Sequence, residues 1–345
     1  MPSITIQTET VQSIIHVGAC LERLEHLVPA RDRICIVDRV VADAHAALLP
    51  PGDHLYLEGG EGAKTLARVE QLYQTFLERR CDRDTLVVGI GGGALCDLIA
   101  FAAATYLRGM RVTLVPTTLL AQVDASLGGK NGVNFGGYKN LVGVIRQPEC
   151  VICDPRFLGS LTPQIFRHGM AEVIKHAAIG DRHLFAQLET DRERLLALEM
   201  ATLEQVVTAA IQVKAHVVSA DEMERGARVT LNFGHTLGHA IESTCALPHG
   251  EAVSIGMMAD ARLSVVHAGL AVSAVSRLQG LLTAYGLPTT PCGEWPKLRE
   301  AVRQDKKRHH DAIRLGVLTD IGTSTVMELP LDTVEQFFAR EWSDA

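Results

Sequence analysis

Short apolar runs alternate with segments of helical length through the first 150 residues, and this alternation constrains the fold more than any other feature. Arg33-Ile34-Cys35-Ile36-Val37-Asp38, Leu55-Tyr56-Leu57-Glu58, Thr85-Leu86-Val87-Val88-Gly89-Ile90 and Arg111-Val112-Thr113-Leu114-Val115-Pro116 read as strands. Residues 63–79 and 94–106 carry helical periodicity. Strands separated by helices of this length imply βαβ units and a mainly parallel sheet. From about Thr162 long helical segments take over, at 166–179, 184–198, 203–218, 236–244, 252–267 and 273–285, with a short strand or two near 314–318. The pattern predicts an α/β N-terminal domain over residues 1–155 and an all-α C-terminal domain over 156–345.

Composition narrows the class. With 345 residues, 47% hydrophobic and 21% charged, the chain is long enough for a sizeable core and is not disordered. A net charge of -7 gives no electrostatic case for nucleic acid, so positive charge that binds a substrate must be concentrated locally. No run reaches the roughly 18 apolar residues of a membrane span, and residues 1–18 lack a secretory pattern. Eight scattered cysteines fit buried small side chains in a reducing compartment, which points to a cytoplasmic protein. Cys150-Val151-Ile152-Cys153 reads as strand, with no second pair at zinc-ribbon spacing.

The strand at 87–90 runs directly into Gly91-Gly92-Gly93-Ala94-Leu95-Cys96-Asp97. Glycines at a strand-to-helix junction let the backbone approach a diphosphate, and the helix N-terminus supplies donors, as in a Rossmann-like nucleotide site. The spacing is not GxGxxG, and taken alone it fits a tight structural turn equally well. Asp38 ends an early strand, where a carboxylate can accept from ribose hydroxyls and disfavours a 2′-phosphate. Thr117 and Thr118 follow another strand end, and Glu61 and Lys64 start the second helical stretch, where a solvated helix face is the plainer reading.

Residues 124–140 are too glycine-rich for a helix and too charged for a core strand. Lys130 and Lys139 among glycines and asparagines suit a phosphate- or carboxylate-bearing substrate. Glu172 and Lys175 share a helix face in apolar surroundings, where an unpaired charge is costly. His235 and His239 stand one turn apart, which suits two ligands on one metal or a ligand beside a proton-transfer group. Glu172 with His235 and His249 would make a two-histidine, one-carboxylate site with an open position.

Taken together these blocks resemble the 3-dehydroquinate synthases, within the sugar phosphate cyclases. The matching stretches are 91–97, 103–109, 115–120, 123–130, 139–140, 169–175, 231–242, 249–258 and 305–307, in one order over roughly residues 34–320. The resemblance implies a homodimeric enzyme that binds NAD and one divalent metal, zinc or alternatively cobalt, and acts on a phosphorylated sugar acid. It gives Glu172, His235 and His249 to the metal and turns His239 to the phosphate and proton-transfer side. Lys130, Asn140, Asn232 and His239, joined by Lys306 or Lys307, match contacts to the substrate phosphate, and Arg108 matches an arginine reaching a phosphate across a dimer interface. Asp124, Lys139, Lys175, Lys214 and Arg228 match groups around the substrate hydroxyls and carboxylate. Asp38, Glu61, Lys64, Gly92, Gly93, Asp97, Thr117 and Thr118 match the NAD site, with Lys130 and Lys139 shared with it.

The chain departs from that pattern at Asn131, where most members have Thr, at 133–138, at Cys96, and at Arg308-His309-His310. Asn131 and Tyr138 flank the substrate loop and leave a related cyclase open, one taking an amino analogue or sedoheptulose 7-phosphate. A metal-dependent polyol dehydrogenase is the alternative from another class.

Overall fold

Strand β5 (Leu86–Gly91) is apolar along its whole length because both of its faces are covered, and Val87, Val88 and Ile90 have no exposed surface. In the computed structural model, which describes residues 2–8, 11–306 and 312–343, it lies inside a seven-stranded sheet. The other strands of that sheet are β1 (Ser3–Gln7), β2 (Gln12–Val17), β3 (Arg33–Asp38), β4 (His54–Leu57), β6 (Arg111–Pro116) and β9 (Cys150–Cys153). Their order is β1-β2-β9-β6-β5-β3-β4, and every pairing except β1 with β2 is parallel. The chain builds outward from β3 to β4, then returns to the other side of β3 as β5 and continues to β6. The reversal falls between β3 and β5, and the crevice at their carboxyl ends is where open α/β sheets bind ligands.

Residues 124–140 differ from the loop that their composition suggests. A π-helical turn, Ala121–Ala125, leads into a hairpin of β7 (Lys130–Phe135) and β8 (Tyr138–Ile145). Phe135 pairs with Tyr138 across Gly136 and Gly137, whose φ values of 60° and 84° are what a two-residue hairpin turn requires. Glycine content here marks a turn and a tightly paired strand, not irregular backbone. The fold is thus an α/β parallel-sheet domain followed by a helical part.

Two compact units result, Met1–Thr162 with Leu198–Ser219, and Pro163–Ala197 with Ala220–Ala345. This differs from the expected division at 155/156 because helix Met200–Ala220 packs with the sheet-bearing unit. It buries Val206, Val207, Ala210 and Ile211, Lys214 reaches Asp124, and the Gln7 N–H donates to Ser219 Oγ at 3.1 Å. The second unit holds helices Pro163–Gly180, Arg182–Thr190, His235–Cys245, His249–Ala268, Val272–Ala284, Trp295–Lys306 and Leu331–Ser343. It also holds one antiparallel hairpin, β10 (Ala312–Asp320) with β11 (Thr323–Pro330), where the short strand near 314–318 was expected. The expected helix 184–198 is broken at Asp191, between Arg182–Thr190 and Arg192–Leu196. No described helix is long and apolar enough to cross a membrane.

Glycines set the spacing inside the second unit. A Cβ on Gly256 would lie 1.9 Å from Gly234 O, and one on Gly250 would lie 2.4 Å from His168 O. Helix His249–Ala268 therefore sits backbone to backbone against its neighbours. Gly256→Ala is expected to destabilise by about 3 kcal/mol, the upper end of overpacking, because main chain cannot move aside as a side-chain tip can. A lowered urea midpoint with an unchanged slope would register this.

Candidate nucleotide and metal sites

In the first unit the end of β5 turns through Gly92 into helix Gly93–Thr105. Gly92 is the N-cap and offers no side-chain acceptor, so the first-turn N–H groups keep their capacity for an anion. A Cβ on Gly92 would meet Thr118 Cγ2 at 3.4 Å, and one on Gly93 would meet Ala125 Cβ at 3.0 Å. The turn is a cradle that side chains would fill, which fits a diphosphate and equally keeps the helix close to its neighbours. The Thr117 N–H donates to Gly91 O at 2.9 Å, holding the ends of β5 and β6 together. Asp38 ends β3 and accepts from the Val40 N–H at 3.1 Å, leaving a carboxylate at the same edge.

Lys64 is 3% exposed. Its Nζ donates to Asp97 Oδ2 at 2.6 Å and to Asn140 Oδ1. Asn134 completes the cluster, donating to Glu61 Oε1 at 2.8 Å and accepting from the Asn140 N–H at 2.9 Å. The structure thus brings Glu61, Lys64 and Asp97 together and sets Asn140, expected at the substrate phosphate, beside them. Lys130 and Lys139 lie exposed on the β7–β8 hairpin. Lys214, nearly buried, donates to both the main-chain oxygen and Oδ1 of Asp124 at 2.7 Å. Arg108 is exposed and follows Leu107 in left-handed backbone, φ 62° after 50°. Asn131 is buried, and its amide donates to Gly129 O at 3.0 Å and Arg146 O at 2.8 Å. This departure braces the hairpin from inside, whereas Tyr138 is 60% exposed at its turn. Cys96 is buried and donates to Gly91 O.

In the second unit Glu172 has no exposed surface and Lys175, one turn on, pairs with its Oε2. Its Oε1 lies 3.2 Å from His249 Nε2 and 3.5 Å from His235 Nε2. His235 Nδ1 lies 3.2 Å from Phe233 O, and His249 Nδ1 lies 3.1 Å from Glu242 Oε2. A carbonyl and a carboxylate only accept, so both imidazoles carry hydrogen on Nδ1 and aim Nε2 at Glu172. Two ring nitrogens and a carboxylate oxygen converge unfavourably unless a proton or a cation lies among them. The three ligand atoms lie within 4.8 Å of one another. Two imidazoles and one carboxylate are a donor set that fits a divalent cation. Burial, with the Lys175 charge beside it, holds the His235 imidazole well below its ordinary range and therefore neutral. At His249 burial acts the same way, but Glu172 and Glu242 outweigh it and push the group up to about 10. A field that favours a proton there favours a metal ion too.

His239 is exposed on the same helix face, its ring 5.3 Å from that of His235 and 6.4 Å from that of His249. Asn232 donates to Glu224 Oε1 at 2.8 Å, and Arg228, buried, donates to Glu222 O at 2.5 Å. Lys307 and the side chain of Lys306 lie outside the described residues. Sequence reading missed Asn134, Glu224 and Glu242, all of which hold predicted site residues. Only Glu242 had a local signal, two turns beyond His235 on one helix face.

The family described as 3-dehydroquinate synthase N-terminal matches residues 54–168, and 3-dehydroquinate synthase C-terminal matches residues 169–308. A 3-dehydroquinate synthase from Pyrobaculum neutrophilum is 41% identical over 307 residues, covering 87% of this chain and 90% of its own. That of Halorhodospira halophila is 41% identical over 310 residues, covering 88% and 87%. Among solved structures, 2-deoxy-scyllo-inosose synthase complexed with carbaglucose-6-phosphate, NAD+ and Co2+ superposes with a TM-score of 0.82 at 25% identity, over 98% and 99% of the two chains. The 2-epi-5-epi-valiolone synthase of Streptomyces hygroscopicus, with NAD+ and Zn2+ bound, gives 0.86 at 23% identity over the whole of both chains. A probable glycerol dehydrogenase from Sinorhizobium meliloti gives 0.68 at 17%, over 95% of each chain. These last two show the fold alone.

Burial pushes the Asp97 carboxyl up to about 6, against the pull of Lys64. An acid raised on folding holds its proton more tightly in the folded chain. Its stabilising contribution is therefore complete below the unfolded value near 3.8 and is lost as pH rises through about 6. The stability of the wild type relative to Asp97→Asn should fall between pH ~4 and ~7 and level off above. Urea unfolding of both proteins across that range measures it, and a pH-independent difference would contradict the assignment.

Proposed function

The chain belongs to the 3-dehydroquinate synthase family, and on that premise we propose that it converts 3-deoxy-D-arabino-heptulosonate 7-phosphate to 3-dehydroquinate and phosphate, with NAD and one divalent metal as resident cofactors. The convergence of Glu172, His235 and His249 carries the reading, because a structural ion cluster would not need two imidazole nitrogens aimed at one buried carboxylate. Zinc is the metal proposed, with cobalt the alternative for the same donors. When bound, NAD+ supplies a hydride acceptor that gives the hydride back within the turnover, and the metal supplies a Lewis acid for the substrate hydroxyls.

The remaining work falls to side chains. Asp38 would accept from the ribose hydroxyls, and the Gly92–Gly93 turn and the helix behind it would take the diphosphate, with Glu61, Lys64, Asp97, Thr117 and Thr118 around the nucleotide. Asp124 fixes the Lys214 Nζ through its main-chain and side-chain oxygens, and the ammonium so placed would meet a substrate oxygen already oriented. Lys175 would serve likewise, aligned by Glu172. Lys139 and Arg228 complete the groups for hydroxyls and carboxylate. His239, Lys130, Asn140 and Asn232, with Lys306 or Lys307, would hold the phosphate, and His239 is the group able to take or give a proton there. A cytoplasmic homodimer is part of the proposal, in which Arg108 reaches the partner's phosphate site. Eight free cysteines support a reducing compartment.

Metal-loaded protein and NAD+ incubated with the heptulosonate phosphate should release phosphate and carbocycle together with no net NADH. NADH accumulating without phosphate would instead indicate a dehydrogenase. His235→Ala should lose phosphate release by roughly 1,000-fold, the several kcal/mol a Lewis acid contributes. It should also show no NADH transient on mixing; a normal transient would remove His235 from the ligand set.

A further inference from the structure

His235, His239 and Glu242 stand at i, i+4 and i+7 of helix His235–Cys245, so they share one face. The first is a proposed metal ligand and the second a proposed phosphate and proton-transfer group. Glu242 has no part in either, yet its side chain is only 16% exposed and its Oε2 lies 3.1 Å from His249 Nδ1. His249 belongs to the next helix, His249–Ala268, and stands at its first position. His249 keeps 29% of its side chain exposed, so packing alone does not hold its ring. His235 needs no such help, because Phe233 O of its own turn accepts from its Nδ1.

We propose that Glu242 is the positioning residue of the metal centre: its carboxylate fixes the ring plane and the tautomer of His249 so that Nε2 faces Glu172. This inference rests on the reading of Glu172, His235 and His249 as metal ligands. A carboxylate behind a ligating histidine orients the ring and raises its basicity, and removing such a partner typically weakens metal affinity by about 10–100-fold. One helix then supplies the centre twice, directly through His235 and through a second helix by way of Glu242.

The test uses full-length protein stripped of metal, with no substrate. Chelator competition gives the Zn2+ and Co2+ affinities of the wild type, Glu242→Ala, Glu242→Gln and Glu242→Asp, and the Co2+ d–d absorption reports ligand geometry. The wild type should take one ion per chain. Glu242→Ala should bind about 10–100-fold more weakly with an altered Co2+ spectrum, and the isosteric Glu242→Gln should fall between, since its amide oxygen accepts without charge. Glu242→Asp should recover part of the affinity. Urea midpoints of the metal-free proteins separate this from a folding role, which would lower the midpoint and leave affinity and spectrum unchanged. Unchanged affinity and spectrum in both Glu242→Ala and Glu242→Gln would overturn the inference while leaving the metal site standing. A wild type that takes no metal would overturn the site reading, and this inference with it.

Discussion

A carboxylate with no exposed surface dictates much of the second unit's chemistry. Glu172 cannot be buried charged without partners, and the chain supplies Lys175 on one oxygen and the Nε2 atoms of His249 and His235 on the other. Those partners come from three helices, so each helix has its rotation fixed about its own axis. Phe233 and Glu242 then fix the rings from behind, and Asp260, also buried, accepts from the Gly234 N–H at 2.7 Å where the chain enters the helix. Stability gains little from such a cluster, since well-packed apolar side chains of the same volume often do as well. What the converging donors can hold accounts for the cluster better than stability does.

The first unit follows the same logic with different partners. Lys64 meets Asp97 and Asn140, and Lys214 meets Asp124. Both lysines are nearly sequestered from water in a chain whose net charge is -7. Positive charge is thus placed at a few held points, where an ammonium with fixed acceptors is already oriented when an anion arrives.

The strands at 33–38, 86–91 and 111–116 were legible because buried parallel strands leave an unbroken apolar run, and the glycines after β5 marked the junction. The pair His235 and His239 was legible as a helix face, but nothing local said that His235 would join Glu172 and His249 in one donor set. That choice is tertiary, made by how helix His249–Ala268 lies against it. The β7–β8 hairpin does not read as strand in the sequence because Gly132 and Gly143 sit opposite each other, where a Cβ on either would strike the facing strand's backbone at 2.8 and 2.5 Å. Strands β1 and β2, alternating and partly exposed at the sheet edge, gave too weak an apolar signal to be read. Asn131 suggested a changed substrate when read as a loop residue, and it is an internal brace.

Gly234, Gly238, Gly250 and Gly256 line the contacts made by helix His249–Ala268, and none of the four has room for a methyl group without displacing a neighbour. In a mutational scan these positions would score with the ligands themselves, although they carry no side chains. Intolerance there reports a distance between two backbones. Sites of this kind can therefore be lost by enlarging a residue that has no chemistry of its own, and a search for active residues by sensitivity alone would find the scaffold first.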